Sequence, residues 1–202
     1  MARPAQYNCN EVLWQATLLF WEKGYRAVSV ADLVKATGLQ PGSLYGRFGS
    51  KEGLFLECLE HYSAMADELR GAHADLASPL ARLRSFYDAM VDDARSMDGQ
   101  RGCLVVNASL ECGPGEERVR AKVQDCMLQG EAWIQTQLDA AVAAGELRLE
   151  TNTTVLAGCL SSSLYGYRVM ARAQSGREKL RAVADASFDS QVGPWLAEPV
   201  LS

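Results

Sequence analysis

The sequence predicts an all-α chain with a small basic head and a larger acidic body. Apolar residues recur at helical spacing through almost all of the 202 residues, and 48% hydrophobic residues are enough to build a substantial core. The charge is uneven: between Met1 and Lys51 six basic residues stand against three acidic ones, a net charge of +3, which leaves −8 on the remainder. This distribution is expected of a protein whose first quarter contacts phosphates.

Paired capping signals predict the first two helices. Asn8 with Glu11 has the spacing of a capping box, and the apolar positions after it recur at helical spacing as far as "EKGY". Ser29 with Asp32 repeats the signature and begins a short second helix. Gly38 can end that helix in the left-handed conformation.

The stretch "TGLQPGSLYGRFGSKEGLF" predicts a tight turn and then a third short helix. Pro41 suits a first helical turn because the N–H group that it lacks would be unpaired there, and the helix can continue to about Phe48. Ser50 then caps a fourth, longer helix. The apolar positions of that helix are Leu54, Phe55, Leu59, Tyr62, Met65 and Leu69.

The second and third helices have the lengths and the connecting turn of a helix-turn-helix, in which the second helix offers its N-terminal side chains to the major groove of DNA. Gln40, Ser43 and Arg47 are spaced i, i+3 and i+7, opposite the apolar Leu44 and Phe48. Gln pairs well with adenine and Arg with guanine, Gly lets a backbone approach closely, and Tyr and Lys can hold phosphates. The predicted DNA-contacting residues are Gln40, Gly42, Ser43, Tyr45, Arg47 and Lys51. The simpler alternative is a solvated turn between packed helices.

The rest of the chain also reads as helices. One predicted helix begins at Ser78–Pro79. Three more are predicted after it: from about Glu116 to Ala144, from about Thr153 to Ala173, and from about Gly176, capped by Ser175, to about Val192. Cys103 to Val106 has the composition of a short buried strand, but the sequence offers it no partner strand. We therefore expect a short helix there, closed by Gly113 and Pro114.

The order of these parts resembles the TetR family of transcriptional repressors. The matching residues are "ATLLFWEKGYRAVSVADLVKATGLQPGSLYGRFGSKEGLF", within a stretch from Asn10 to Leu56. The resemblance implies a homodimer with a helix-turn-helix DNA-binding domain at 1–52 and a helical effector-binding and dimerisation domain at 53–202. It also implies a palindromic double-stranded DNA operator that is released when an effector binds. The family commonly has histidine where Gly46 stands, and Gly costs about 1 kcal/mol relative to Ala in a helix interior.

The resemblance also implies that the last two helices of each subunit form a four-helix bundle between subunits. The penultimate helix carries small residues that permit close approach, namely Ala157, Gly158, Ser161 and Ser162. Candidate apolar contacts in the final helix are Leu180, Val183, Phe188 and Trp195. Small residues also suit packing within one subunit, so both arrangements stay open.

Aromatic and polar residues in the middle helices are candidates for an effector pocket. They are Phe86, Met90, Cys103, Asn107, Trp133, Tyr165 and Tyr167. The segment "QRGCLVVNASLE" resembles a branch of the family that senses electrophiles or oxidants through a cysteine, which makes Cys103 a candidate sensor. If a helix begins near Arg101, its dipole and that guanidinium favour the reactive thiolate. The alternatives are a buried, inert Cys103 and reversible binding of a small molecule nearby.

Other classes of protein find less support in the sequence. Cys58 lies three residues before His61, and a Cys–His pair can serve a thiol or metal enzyme, but no third group recurs near it or near His73, the only other histidine. We therefore expect no catalytic residues, no metal site and no cofactor. A helical scaffold that does not bind DNA would leave the polar face of the third helix unexplained. Lacking apolar runs of membrane-spanning length and a signal-peptide pattern, the protein is expected to be cytoplasmic.

Overall fold

A computed structural model describes residues 8–72, 74–94 and 101–198 and confirms the all-α fold class. The described residues form nine α-helices and no β-strand. These are α1 (Cys9–Lys23), α2 (Val30–Thr37), α3 (Pro41–Phe48), α4 (Lys51–Gly71), α5 (Pro79–Ala94), α6 (Leu104–Glu111), α7 (Glu117–Ala143), α8 (Thr153–Arg172) and α9 (Arg177–Val192). A 3₁₀ turn, Gly193–Trp195, follows α9, and a single β-bridge joins Leu147 to Leu196.

Local capping explains the beginning and the end of α2. The Ser29 hydroxyl accepts a hydrogen bond from the Asp32 N–H at 3.1 Å, and the Asp32 carboxylate accepts one from the Ser29 N–H at 3.0 Å. Gly38 ends the helix with φ 71°, in the left-handed conformation that glycine adopts without strain. Both features confirm the sequence prediction.

Three details at helix starts differ from the predictions. Asn8 caps α1, but Glu11 bonds Gln15 one turn later instead of completing a capping box. The last helix begins at Arg177 with Gly176 as its N-cap, so the prediction that Ser175 caps it is wrong. The short helix α6 begins at Leu104, so Cys103 precedes the helix rather than lying in its first turn.

Contacts divide the chain into two compact units, which are Met1–Ala66 with Leu104–Cys126 and Asp67–Cys103 with Met127–Ser202. The predicted boundary at residue 52, which separates functions rather than packing units, stays a prediction. Among the described helices, none has both the length and the apolar character that crossing a membrane requires.

The first unit is packed around aromatic side chains. Phe20 and Phe55 are fully buried with ring centroids 4.8 Å apart, and Tyr25 stacks on Phe55 at 4.6 Å. Leu33 of α2 and Leu44 of α3 are also fully buried. Burying one face of each short helix orients the opposite face of α3 outwards.

The second unit has a core shared by α5, α7, α8 and α9. At its centre the hydroxyl groups of Tyr87 and Tyr167 lie 3.1 Å apart, and the ring of Tyr87 meets that of Phe188 edge-on at 5.0 Å. Burial raises the pKa of Tyr87 far above its ordinary value, which keeps the phenol neutral. These contacts place Tyr167, a predicted pocket residue, inside the core.

Candidate nucleic-acid interface and ligand-binding residues

The outer face of α3 carries most of the predicted DNA-contacting residues. Leu44 and Phe48 are buried, which leaves the opposite side of this two-turn helix exposed. Gln40 stands at the N-cap with no side-chain cap hydrogen bond, so its amide is not engaged in capping the helix. Three further predicted residues, Gly42, Ser43 and Arg47, are exposed, and Tyr45 is half-buried; Gly46, which was not among them, is also exposed.

Two glycines leave the backbone of this face bare. A Cβ built at Gly42 or at Gly46 meets no atom within 4 Å. Neither glycine is therefore required by packing in the free protein, and Gly46 occupies a helix interior where Ala is the more stable residue. The outer face of α3 is therefore a polar surface whose backbone another molecule can approach closely at these two glycines.

Arg47 is held by an acidic residue of α4 that sequence reasoning missed. Its Nη1 and Nη2 donate to the two carboxylate oxygens of Glu57 at 2.9 and 3.1 Å, and its guanidinium lies 4.9 Å from the centre of the Phe48 ring. Glu57 raises the pKa of Arg47. Since the side chains are 44% and 37% exposed, water can reach this pair and compete with it. Arg47 and Glu57 are ten residues apart in the sequence, and only the packing of α3 against α4 brings them together.

Lys51 is drawn back towards the protein rather than extended into solvent. Its Nζ lies 4.8 Å from the centre of the Tyr25 ring and donates to the carbonyl oxygen of Arg26 at 3.4 Å. Burial lowers the pKa of Lys51. A contact from this amine to a phosphate requires the side chain to leave Tyr25.

Gly53 is the second residue whose role sequence reasoning missed. A Cβ at this position would lie 2.1 Å from the carbonyl oxygen of Phe48, so α4 can start this close to the end of α3 only with glycine. The Ser50 hydroxyl accepts the Gly53 N–H at 3.0 Å, as a helix cap does, and confirms that prediction. In the sequence, the glycine of "SKEGLF" was the feature that could have indicated this close approach of α4 to α3.

The structure brings together some of the predicted effector-pocket residues. The rings of Phe86 and Trp133 lie 4.7 Å apart, and Met90 Sδ lies 3.5 Å from the guanidinium of the buried Arg168. The Tyr165 hydroxyl lies 3.6 Å from the point where Gly130 would carry a Cβ. Phe86, Met90, Trp133, Tyr165 and Tyr167 thus all belong to the second unit.

The other two predicted pocket residues flank the start of α6. Cys103 is 8% exposed and is the last residue of its segment in the second unit, while Asn107 lies on α6 and belongs to the first. Cys103 is a free thiol, as is the exposed Cys159 of α8. Asn107 and the pair formed by Phe86 and Trp133 therefore belong to different units.

Arg70, which sequence reasoning did not single out, reaches the aromatic pair. Its guanidinium lies 5.9 Å from the centre of the Phe86 ring and 5.8 Å from that of Trp133. Its side chain is 15% exposed, and its Nη1 donates to Asp67. Its Nε is buried and has no hydrogen-bond partner. In the sequence it is only one basic residue near the end of a long helix.

Two surface grooves lie away from the predicted pocket residues. One, of about 580 Å³, is lined by Leu56, Glu57, Glu60, Arg118, Ala121, Lys122 and Asp125 in the first unit. The other, of about 520 Å³, is lined by Ser78, Leu80, Ala81, Arg84, Glu146, Phe188, Asp189, Val192, Gly193 and Leu196 in the second. In the first groove ion pairs such as Lys122 with Glu60 already neutralise the charges.

The geometry around Cys58 does not support thiol chemistry. Cys58 is fully buried, its Sγ lies 3.9 Å from the carbonyl oxygen of Leu13, and burial raises its pKa to about 12. His61 packs against the ring of Trp14 at 6.2 Å. Within residues 8–72, 74–94 and 101–198 no three His, Cys, Asp or Glu side chains could hold a metal ion together. His73 lies outside these residues.

The small residues of α8 divide between the core and the surface. Ala157 and Ser161 are buried in the second unit, Gly158 is half-buried and Ser162 is exposed. In α9, Leu180 and Phe188 are buried, Val183 is exposed, and Trp195 in the following turn is half-buried. The exposed face of α8 instead repeats small or apolar residues at spacings of four and three: Val155, Cys159, Ser162, Gly166 and Val169. This spacing is typical of a helix face that packs against another helix.

Comparisons with known proteins agree with this arrangement. The family of bacterial regulatory proteins named tetR matches residues 13–58, and the family described as Tetracyclin repressor-like, C-terminal domain, matches residues 79–187. The HTH-type transcriptional repressor ComR of Escherichia coli (strain K12) is 30% identical over 92% of this chain and 90% of its own length. The HTH-type transcriptional repressor DhaR of Mycobacterium sp. (strain GP1) is 26% identical over 87% of this chain and 88% of its own.

A solved structure shows the same fold on DNA. A cysteine mutant of the TetR family transcriptional regulator CifR, complexed with 26-bp double-strand operator DNA, is 31% identical, with a TM-score of 0.86 over 93% of this chain and 99% of the other.

Proposed function

Because the chain belongs to the TetR family of bacterial transcriptional regulators, we propose that it binds a palindromic DNA operator as a homodimer and represses transcription until an effector releases it. It is a DNA-binding regulator and not an enzyme, as its relatives are named transcriptional repressors. It acts in the cytoplasm, where bacterial DNA lies.

The observation that carries the proposal is the exposed polar face of α3. Gln40 and Ser43 stand at the N-terminal end of this helix, where a helix-turn-helix meets base edges, and the bare backbone at Gly42 and Gly46 allows close approach. Arg47 reaches the DNA by exchanging Glu57 for a base edge or a phosphate. We assign the flanking Tyr45 and Lys51 to phosphate contacts.

Selection from random-sequence DNA duplexes tests this proposal. We expect a palindromic site and dimer-sized complexes in gel-shift assays. Arg47→Gln should bind a broader set of sequences than the natural chain. Arg118→Gln, which changes an exposed arginine of α7, should keep the same preference. If selection yields no consensus, the proposed function fails, and if Arg47→Gln keeps the full preference, the residue does not read bases.

Dimerisation is assigned to α8 and α9. The exposed stripe on α8 offers side chains with little bulk, and Val183 lies exposed on α9. Two such faces packed against their symmetry mates form a four-helix bundle that holds two recognition helices at a fixed spacing. Leu180 and Phe188 do not serve this interface, since they are buried in the subunit itself.

Covalent sensing through Cys103 is the second part of the proposal. This cysteine lies immediately before α6 in tightly packed surroundings, so an adduct on its Sγ needs space that only movement of the neighbouring helices provides. The CifR structure similar to this chain is that of a cysteine mutant.

Operator release by a quinone, an aldehyde or hypochlorite tests the sensor. The natural chain and Cys159→Ser, a control that removes an exposed thiol, should both release DNA, while Cys103→Ser should hold it. If Cys103→Ser releases DNA as readily as the natural chain, Cys103 is not the sensor and the repressor assignment is unaffected.

A further inference from the structure

The half-buried Arg70, beside Phe86 and Trp133, has a guanidinium nitrogen without a hydrogen-bond partner. Arg70 lies in the part of α4 that belongs to the second unit, and its side chain is 15% exposed. Its Nε has no hydrogen-bond partner, and its bond to Asp67 engages Nη1 with a carboxylate that is itself 64% exposed. A guanidinium has five donors, so this arrangement leaves it under-satisfied.

A glycine of α7 faces this guanidinium. Gly130 lies in the interior of α7, where glycine is costly, and the position its Cβ would take is 3.5 Å from Arg70 Nη2 and 3.6 Å from Tyr165 Oη. The missing side chain therefore leaves a methyl-sized gap on the α7 side of both groups. The ring centres of Phe86 and Trp133 lie 5.9 and 5.8 Å from the same guanidinium.

Two more buried polar atoms on the same helices have no partner. Gln137 Oε1 lies on α7 one turn after Trp133, and Ser161 Oγ lies on α8 one turn before Tyr165. Buried polar groups in folded proteins are normally hydrogen-bonded, and each exception calls for an explanation. For Arg70 Nε the explanation is a hydrogen-bond acceptor that a bound ligand supplies.

We propose that the effector of this regulator is a small organic carboxylic acid with a flat apolar body. Its carboxylate accepts hydrogen bonds from Arg70, and its body packs against Phe86 and Trp133. A planar guanidinium fits a carboxylate through two parallel hydrogen bonds. A singly charged acid shares the Arg70 guanidinium with Asp67, whose carboxylate is 64% exposed and therefore screened by water. The adjacent rings favour a flat hydrocarbon over a hydrated ligand. This inference rests on the proposed function for its regulatory meaning, but the binding site stands on the geometry alone.

Calorimetric titration of the whole protein with matched probes tests the ligand class. We expect benzoate or cinnamate to bind more tightly than the flexible hexanoate. The acid that binds should also bind at least about tenfold more tightly than its amide, because charge-assisted hydrogen bonds are the stronger kind. Arg70→Gln should remove this preference for the acid. Arg118→Gln, at an exposed arginine of the first unit, should retain it.

A second variant keeps the test decisive if Arg70→Gln fails to fold. Gly130→Ala adds a methyl group beside Arg70 Nη2 and Tyr165 Oη and favours the helix, so it should raise the melting temperature and weaken acid binding at least about tenfold. Gly46→Ala, also at a helix interior but on α3, should leave acid binding unchanged.

Three results would overturn the inference: none of the three acids binds, the amides bind as tightly as the acids, or both Arg70→Gln and Gly130→Ala bind acid normally. The bound acid should also release the selected DNA. If the protein binds no DNA at all, the proposed function fails while calorimetry still decides on the acid site. If it binds DNA that the bound acid does not release, the site is not the effector site.

Discussion

Replacing Gly46 by Ala should stabilise the free protein and weaken its binding to DNA. Gly46 lies inside α3, and a Cβ there meets no atom within 4 Å, so the methyl group causes no steric strain in the free protein. Ala is favoured over Gly in a helix interior by about 1 kcal/mol, and the free energy of unfolding should rise by about that amount. On DNA the same methyl group stands between the helix backbone and the base edges.

Two measurements separate these effects. Urea unfolding followed by circular dichroism gives the change in the free energy of unfolding, and fluorescence anisotropy with the selected DNA site gives the change in affinity. We expect the affinity to fall at least about tenfold, or about 1.4 kcal/mol. A protein that is more stable and yet binds more weakly cannot owe its weaker binding to unfolding.

Gly71→Ala is the matched control. Gly71 is the last residue of α4 and also has no neighbour within 4 Å of its Cβ position, but it lies outside the recognition helix. This variant should keep full affinity. Unchanged affinity in Gly46→Ala would refute the close approach of the α3 backbone to DNA, and a lower free energy of unfolding would refute the open surroundings of Gly46.

Three further predictions concern charge, assembly and acid sensitivity. Glu57→Gln frees Arg47 and removes a negative charge near the phosphates, so anisotropy should show up to about fivefold tighter DNA binding, and weaker binding would mean that Glu57 positions the arginine. Val169→Glu should convert the dimer to a monomer in sedimentation, whereas Leu128→Glu, at an exposed position of α7, should not; a dimeric Val169→Glu would exclude this face of α8. Hydrogen bonds from Lys23 and Ser29 lower the pKa of Asp32. The stabilisation from the Asp32 carboxylate is therefore present above the ordinary carboxyl pKa of about 4 and is lost as the pH falls towards the lowered pKa. Asp32→Asn should flatten this part of the acid unfolding curve, and an unaltered curve would contradict the assignment.

Local signals explain why the first helices could be predicted from the sequence. The Ser29–Asp32 capping box and the left-handed Gly38 act within a few residues of one another, so their spacing alone defines α2. The failure at Ser175 has a physical reason as well. Gln174 adopts φ 57° and the Ser175 N–H donates to the carbonyl oxygen of Met170, so the turn that ends α8 uses Ser175 and moves the start of the last helix along by one residue.

The candidate site was only partly predictable, because its side chains depend on tertiary contacts. The apolar positions of α3 were recognised from their period, and this gave the exposed face directly. Phe86 and Trp133, by contrast, lie 47 residues apart, and only the packing of α5 on α7 brings their rings together. Nothing in their local sequence distinguishes them from ordinary core residues.

The arginines show where helical periodicity stops being informative. Periodicity locates the Cβ of a residue, but the guanidinium lies several rotatable bonds further out and takes the partner that tertiary structure provides. The backbone of Arg47 lies on the recognition helix and its guanidinium contacts Glu57. The backbone of Arg70 lies near the end of a helix and its guanidinium lies beside two aromatic rings. The first pairing competes with DNA, and the second leaves an atom that a ligand can satisfy. The role proposed for Arg47 in reading DNA and the role proposed for Arg70 in binding an acid therefore differ in what surrounds each guanidinium group. For this reason substitutions of their neighbours, Glu57 and Gly130, test the two proposals more sharply than removal of the arginines themselves.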